Sequence, residues 1–241
     1  VTAGFQAFTD TGIYQIDGST PNYQLVQAMS ADSADRGLHL AYNDAHIRFG
    51  ITLPSVTFTF AAQAGPMYGV HASGGTGITH WSTTHNDNGN VYSLTFVTER
   101  PCAVRLFLFD QVPLAAGNFG LQVFNGSGTL IADSSKPFLR VLDVISERYN
   151  GDAGWVVGGA PNPPWHSKSY GVPVLISGIY SVHSAWSYND PPIVELTSIR
   201  VDGGNVSWGT ALYGGGRKSN FVGFREQYHS RFMVLDGTGL V

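Results

Sequence analysis

A single cysteine, Cys102, excludes any disulfide within this chain of 241 residues. It follows Pro101 and precedes the apolar run AVRLFLF, so it reads as a buried structural thiol rather than a nucleophile. Charge is scarce as well. Only 12% of residues are Asp, Glu, Lys or Arg, about half the usual fraction for a globular protein. With 43% hydrophobic residues the chain is not of the disordered class. A net charge of −4 and scattered basic residues, of which Arg217-Lys218 is the densest pair, argue against a nucleic-acid partner. No apolar run approaches the roughly 20 residues that span a bilayer as a helix, so no membrane span is expected. The opening VTAGFQAFTD lacks the basic and apolar regions of a secretory leader.

Catalytic signatures are missing too. There is no G-x-S-x-G elbow, and GGGRKS (214–219) lacks the spacing of a phosphate loop. Only four glutamates, Glu99, Glu147, Glu195 and Glu226, are available for paired-carboxylate chemistry. Glu99 beside Arg100 and Glu226 beside Arg225 read as surface groups. His71, His80 and His85, with Asp87, could converge on a zinc ion, yet HWSTTH lacks the H-E-x-x-H pattern. We therefore expect no metal, no cofactor and no catalytic residues, and hence no enzyme.

What the chain has in quantity is strand periodicity. SVTFTF (55–60) puts Val56, Phe58 and Phe60 on one face. AVRLFLFD (103–110) reads as a strand buried on both faces, and NVYSLTFV (90–97), VPVLISGIYSV (172–182) and PIVELTSIRV (192–201) as further strands. Asn88-Gly89 and the DGGN of 202–205 mark hairpin turns. Residues 22–35 and 137–149 are the two helix candidates, the second through Leu139, Leu142 and Ile145, although their β-branched residues also suit strands. The stretches 71–90 and 149–171 read as exposed loops. The fold class is all-β, with long Gly- and Pro-rich loops.

The chain also nearly repeats itself. GFQAFTDTGIYQID (4–17) returns without a gap as GLQVFNGSGTLIAD (120–133), and Pro21 and Pro137 keep the same spacing. Each copy reads as a β-hairpin turning at Gly12 or Gly128, with Phe8 and Phe124 as core anchors. A duplication follows, with two β-sandwich-like domains, 1–117 and 118–241.

Trp81, Trp155, Trp165, Trp186 and Tyr188 are the candidate ligand or interface residues, since rings beside Asn and Asp can stack on sugars. Large rings in β-rich chains also fill cores and interfaces.

The opening segment, GFQAFTDTGIYQIDGSTPNYQLVQ, resembles the N-terminus of small tail proteins of tailed bacteriophages, which begin with a G-Φ-Q-x-F-N-x-x-G-x-x-x-x-D hairpin. FGLQVFNGSGTLIADSSKPFLRVLDVI (119–145) and RFMVLDGTGL (231–240) are similar to further segments of that family. The resemblance implies a virion component of the tail tip, baseplate or fibre-attachment region, made in the host bacterial cytoplasm. Its partners would be copies of itself and other phage tail proteins. A host surface glycan or receptor is the alternative partner, met by the 71–90 or 149–171 loops.

Overall fold

The computed structural model describes residues 6–8, 14–17, 22–41, 48–62, 65–111, 120–148, 165–180, 183–186, 193–214 and 229–241. Among them there is no α-helix, only one 3-10 turn at Ser73–Gly75. The chain before residue 112 forms a hairpin of β1 (Gln6–Phe8) and β2 (Tyr14–Asp17), then β3 (Gln24–Asp32), β4 (Ala34–Ala41), β5 (Arg48–Ala61), β6 (Met67–Ala72), β7 (Ile78–Asn86), β8 (Val91–Thr98) and β9 (Ala103–Asp110). The chain after residue 119 repeats the plan. It forms a hairpin of β10 (Gln122–Phe124) and β11 (Leu130–Asp133), then β12 (Val141–Arg148), β13 (His166–Ser169), β14 (Val174–Tyr180), β15 (His183–Trp186), β16 (Ile193–Asp202), β17 (Asn205–Gly214) and β18 (His229–Asp236).

Two large antiparallel sheets form a sandwich. The six-stranded sheet runs β12-β18-β14-β6-β9-β3, and the eight-stranded sheet runs β13-β17-β16-β7-β8-β5-β4, with β15 added beside β16. Between them lies a core of Val56, Phe58, Phe60, Phe96, Leu106 and Leu108 from the first half and Ile176, Ile199, Trp208, Phe232 and Val234 from the second. The expected boundary near residue 117 therefore separates two half-chains that share both sheets and one core.

Alternation explains most of this. On β5, Val56, Phe58 and Phe60 all turn inward, while Thr57 and Thr59 are exposed and pair with Thr95 and Ser93 of β8. On β9, Leu106 and Leu108 face the sandwich core, and Phe107 and Phe109 are buried in a second cluster on the opposite face with Leu175 and Leu235. That second cluster exists because the six-stranded sheet curls. The starts of its two edge strands meet, with Leu25 N–H bonding to Pro137 O at 2.8 Å and Leu139 N–H to Tyr23 O at 2.9 Å. Tyr23, Leu25, Met67 and Leu139 line the enclosed pocket of side chains.

Three sequence expectations change. The two helix candidates are the edge strands β3 and β12. Each carries a β-bulge, at Val26 and at Leu142, between the paired residues on either side. The extra residue throws the side-chain alternation out of phase, and so gives Leu139, Leu142 and Ile145 a false helical spacing. The 71–90 stretch holds the end of β6, the 3-10 turn and the nine-residue strand β7, whose Ser, Thr and His residues lie where a partly solvated strand pairs with β8. The Asn88-Gly89 turn joins the two as expected, with Gly89 at φ 92°. The 149–171 stretch contains β13, while its residues 149–164 lie outside the described residues.

Candidate functional site

The outer face of the eight-stranded sheet gathers the most concentrated set of interacting polar and aromatic side chains. On β16, Ile199 and Val201 point into the shared core, so Ser198 and Arg200 must point outward. Glu99, just past β8, reaches across to them. Its carboxylate accepts bonds from Arg200 Nη2 at 2.9 Å, from Nε at 3.1 Å to each oxygen, and from Ser198 Oγ at 2.8 Å. Buried Tyr213 donates its hydroxyl to Ser198 Oγ at 2.9 Å. Gly77 makes room for the carboxylate, since a Cβ there would collide with Ser198 Oγ and the Glu99 carboxylate. Glu99 is thus not the surface group that its place beside Arg100 suggested, its side chain being 19% exposed. Arg100 instead donates to Gly74 O at 2.9 Å.

Trp165 caps this cluster. Its ring lies over Gly209 of β17, where an added Cβ would stand 2.8 Å from Cδ2. The Arg200 guanidinium sits 4.0 Å from the ring centroid, within cation–π range. The indole remains 37% exposed. Trp81 occupies the bulge of β7 between His80 and Ser82 and packs against Ile51, Leu53, Val97, Leu196 and Tyr213 on the same outer face. Trp186 is placed only by its backbone, paired with Ile193 at the end of β15. Trp155 and Tyr188 lie outside the described residues. The structure therefore brings Trp81 and Trp165 to one face of one sheet. Arg200 and Ser198, which with Glu99 hold that face together, were not singled out in the sequence, and Glu99 was read there as a surface group. The alternation in TSIRV signals which way Ser198 and Arg200 point, but nothing local signals that Glu99 meets them.

The chemistry of the cluster is that of a lock. Both Glu99 oxygens are engaged, and burial, with the Glu99 charge adding to it, holds the Tyr213 hydroxyl in its neutral form well above the usual tyrosine range. Burial likewise raises Tyr68, whose pKa is pushed up to about 12, and its hydroxyl accepts the Ile179 N–H at 3.3 Å.

The three histidines do not form one group. Burial, then the Arg105 charge, lowers the pKa of His71, while burial lowers that of His80, which bonds Thr83 Oγ1 at 2.8 Å. His85 stacks on Tyr92 at 4.2 Å and lies 3.1 Å from the Asp87 carboxylate. Among the described residues, no three His, Cys, Asp or Glu side chains converge in a way that could hold a metal ion.

A second surface is apolar. Phe124, expected to anchor its hairpin, is instead 50% exposed and Leu121 nearby 55%, while Val123, Ile131 and Ala132 are buried against Phe138. Val123 is buried, so its strand neighbour Phe124 points to the opposite, solvent side, while the inserted residue of the hairpin's bulge, Ile131, lies on β11. The edge strand β12 also exposes apolar side chains, Val141, Leu142 and Val144, the last 64% exposed. No protein-family model, no curated protein and no solved structure matches this chain.

Proposed function

We propose that this chain is a structural virion protein of a bacteriophage tail, at the tip, baseplate or fibre-attachment region. It acts by self-association and by binding other tail proteins. The family resemblance of residues 4–27, 119–145 and 231–240 motivates the reading. The observation that carries it is the exposure of large apolar residues, Leu121 and Phe124 at the hairpin and Val141, Leu142 and Val144 on an edge strand. Edge strands of soluble proteins are normally blunted by charge or cover, and an apolar edge favours another β surface. On this reading the protein is no enzyme, and it resides in the virion after synthesis in the host bacterial cytoplasm.

The test is sedimentation of the purified protein, alone and with the other tail proteins of its phage. Self-association or a stable complex is expected, and Val144→Lys should weaken it while leaving the circular dichroism spectrum unchanged. A monomer that binds none of those proteins overturns the proposal.

A second reading, a carbohydrate- or receptor-binding module at the tail tip, is favoured by the partly exposed Trp165 ring. A glycan array with Trp165→Ala and Trp186→Ala tests it. Binding that both variants retain in full removes these two rings as sugar platforms.

A further inference from the structure

The two halves correspond far beyond the hairpins. In the six-stranded sheet, β3, β9 and β6 run from edge to centre in one half, and β12, β18 and β14 do so in the other. In the eight-stranded sheet, β5, β8 and β7 answer β13, β17 and β16. These six strands occur in the same chain order in each half, with β4 and β15 as additions. The detail matches as well. The spacing that separates Gly4 from Gly120 also separates the bulge residue Val26 from the bulge residue Leu142. RLFLFD (105–110) of β9 is echoed by RFMVLD (231–236) of β18, and each Asp ends its strand.

The halves join where equivalent strands lie antiparallel, β6 against β14 and β7 against β16, as a two-fold axis requires. Each junction has a single bridged pair, Val70 with Ile176 and Ile78 with Ile199, whereas β3 and β9 share a ladder of eight. The core crosses this seam, and so do the Glu99–Arg200 pair and the bonds of Gln24 to Asp133.

We infer that the seam is a self-complementary interface and that it accepts the opposite half of a second copy of this chain. Two chains assemble as an exchanged dimer in which each first half closes on the partner's second half. The exchange reproduces every contact of the seam with the same residues, so it costs little beyond association entropy. It takes place as the halves meet during folding, because opening the finished core would expose its largest apolar side chains. This inference deepens the self-association part of the proposed function and rests on it.

The test uses full-length chains carrying Cys102→Ser. One copy bears Val70→Cys, the other Ile176→Cys, and the two are refolded together and oxidised gently. A disulfide-linked heterodimer is expected, in a yield that rises with protein concentration during refolding. The control is one chain bearing both cysteines, which should close an internal disulfide at the bridged pair. Ile78→Cys with Ile199→Cys serves at the second junction if the first control does not close. A closed control with no heterodimer overturns the exchange. Sedimentation of the same samples separates the two failures. Uncross-linked oligomers sink the exchange and leave self-association standing, while monomers alone sink both.

Discussion

Two glycines are required by close approach rather than by turn geometry. Gly77 admits the Glu99 carboxylate and Gly209 admits the Trp165 ring. We expect Gly209→Ala to destabilise the protein by about 1–3 kcal/mol through overpacking. In a Trp165→Ala background the same change should cost less than about 0.5 kcal/mol, because the colliding ring is gone. Urea denaturation of the four proteins in the cycle checks this, and additive costs would place the strain elsewhere. Three tyrosines make a separate prediction. Tyr68, Tyr170 and Tyr213 all have raised values in the folded chain, burial being the largest cause in each. The unfolded chain ionises these groups near the ordinary value of 10.0, so it loses protons that the folded chain keeps. Their contribution is complete below pH 10 and declines as the pH rises above it. Alkaline titration followed by tyrosinate absorbance should show the enclosed Tyr68 and Tyr213 ionising only with unfolding.

At the scale of elements, the hairpin β10–β11 is clasped by side chains of the opposite half, with Asn22 Nδ2 donating to Ile131 O at 3.3 Å and Gln24 making the shorter bonds. Gln24 Nε2 donates to Asp133 O at 2.6 Å and to Lys136 O at 2.9 Å, and its Oε1 accepts the Asp133 N–H at 2.9 Å. The residue is buried, so its loss leaves two carbonyls and an amide without these partners. Gln24→Ala should therefore cost about 1–3 kcal/mol, and amide exchange at Asp133 should accelerate more than at β9. Uniform acceleration would show that the clasp serves the whole fold rather than the hairpin. The crossings between sheets are stitched in a similar way. Ser33, where the chain passes from β3 to β4, accepts bonds from Thr98 Oγ1 at 2.7 Å and the Cys102 N–H at 3.0 Å, where it returns from β8 to β9. Cys102, expected to be buried, is only partly so, and its backbone N–H and carbonyl belong to that stitch.

For the whole molecule, sheet edges must be held against each other as well as within themselves. Asp143 of β12 joins the edge of the six-stranded sheet to the chain around β13 at the edge of the other. It accepts bonds from Lys168 Nζ at 2.6 Å and Tyr170 Oη at 2.8 Å. The Lys168 hydrogen bond is the largest cause holding the Asp143 carboxyl below its usual range, and the Tyr170 hydroxyl adds to it. A depressed value in the folded chain means that the unfolded chain takes up a proton first on acidification. The stability from this clasp is full above the ordinary value of 3.8 and is lost as the pH falls below it. Asp143→Asn should lower stability at neutral pH and flatten its decline below about pH 4. Equal acid slopes in the two proteins would assign the acid sensitivity to other carboxylates.

Local chemistry determined the strands and turns. Alternation on β5, unbroken apolarity on β9, Asn88-Gly89 and Gly203-Gly204 all act over a few residues, and so does the hairpin repeat. Where a bulge displaced the side-chain phase, as at Leu142, the local pattern pointed to a helix, because periodicity alone cannot register an inserted residue. Only the tertiary structure decided that the repeated halves share two sheets and one core, that Phe124 faces outward, and that Glu99 is engaged by Arg200 instead of standing free on the surface. Those outcomes depend on which strands become neighbours across the seam. That pairing is set by burying the apolar faces of both halves at once, a condition no short stretch of sequence can express.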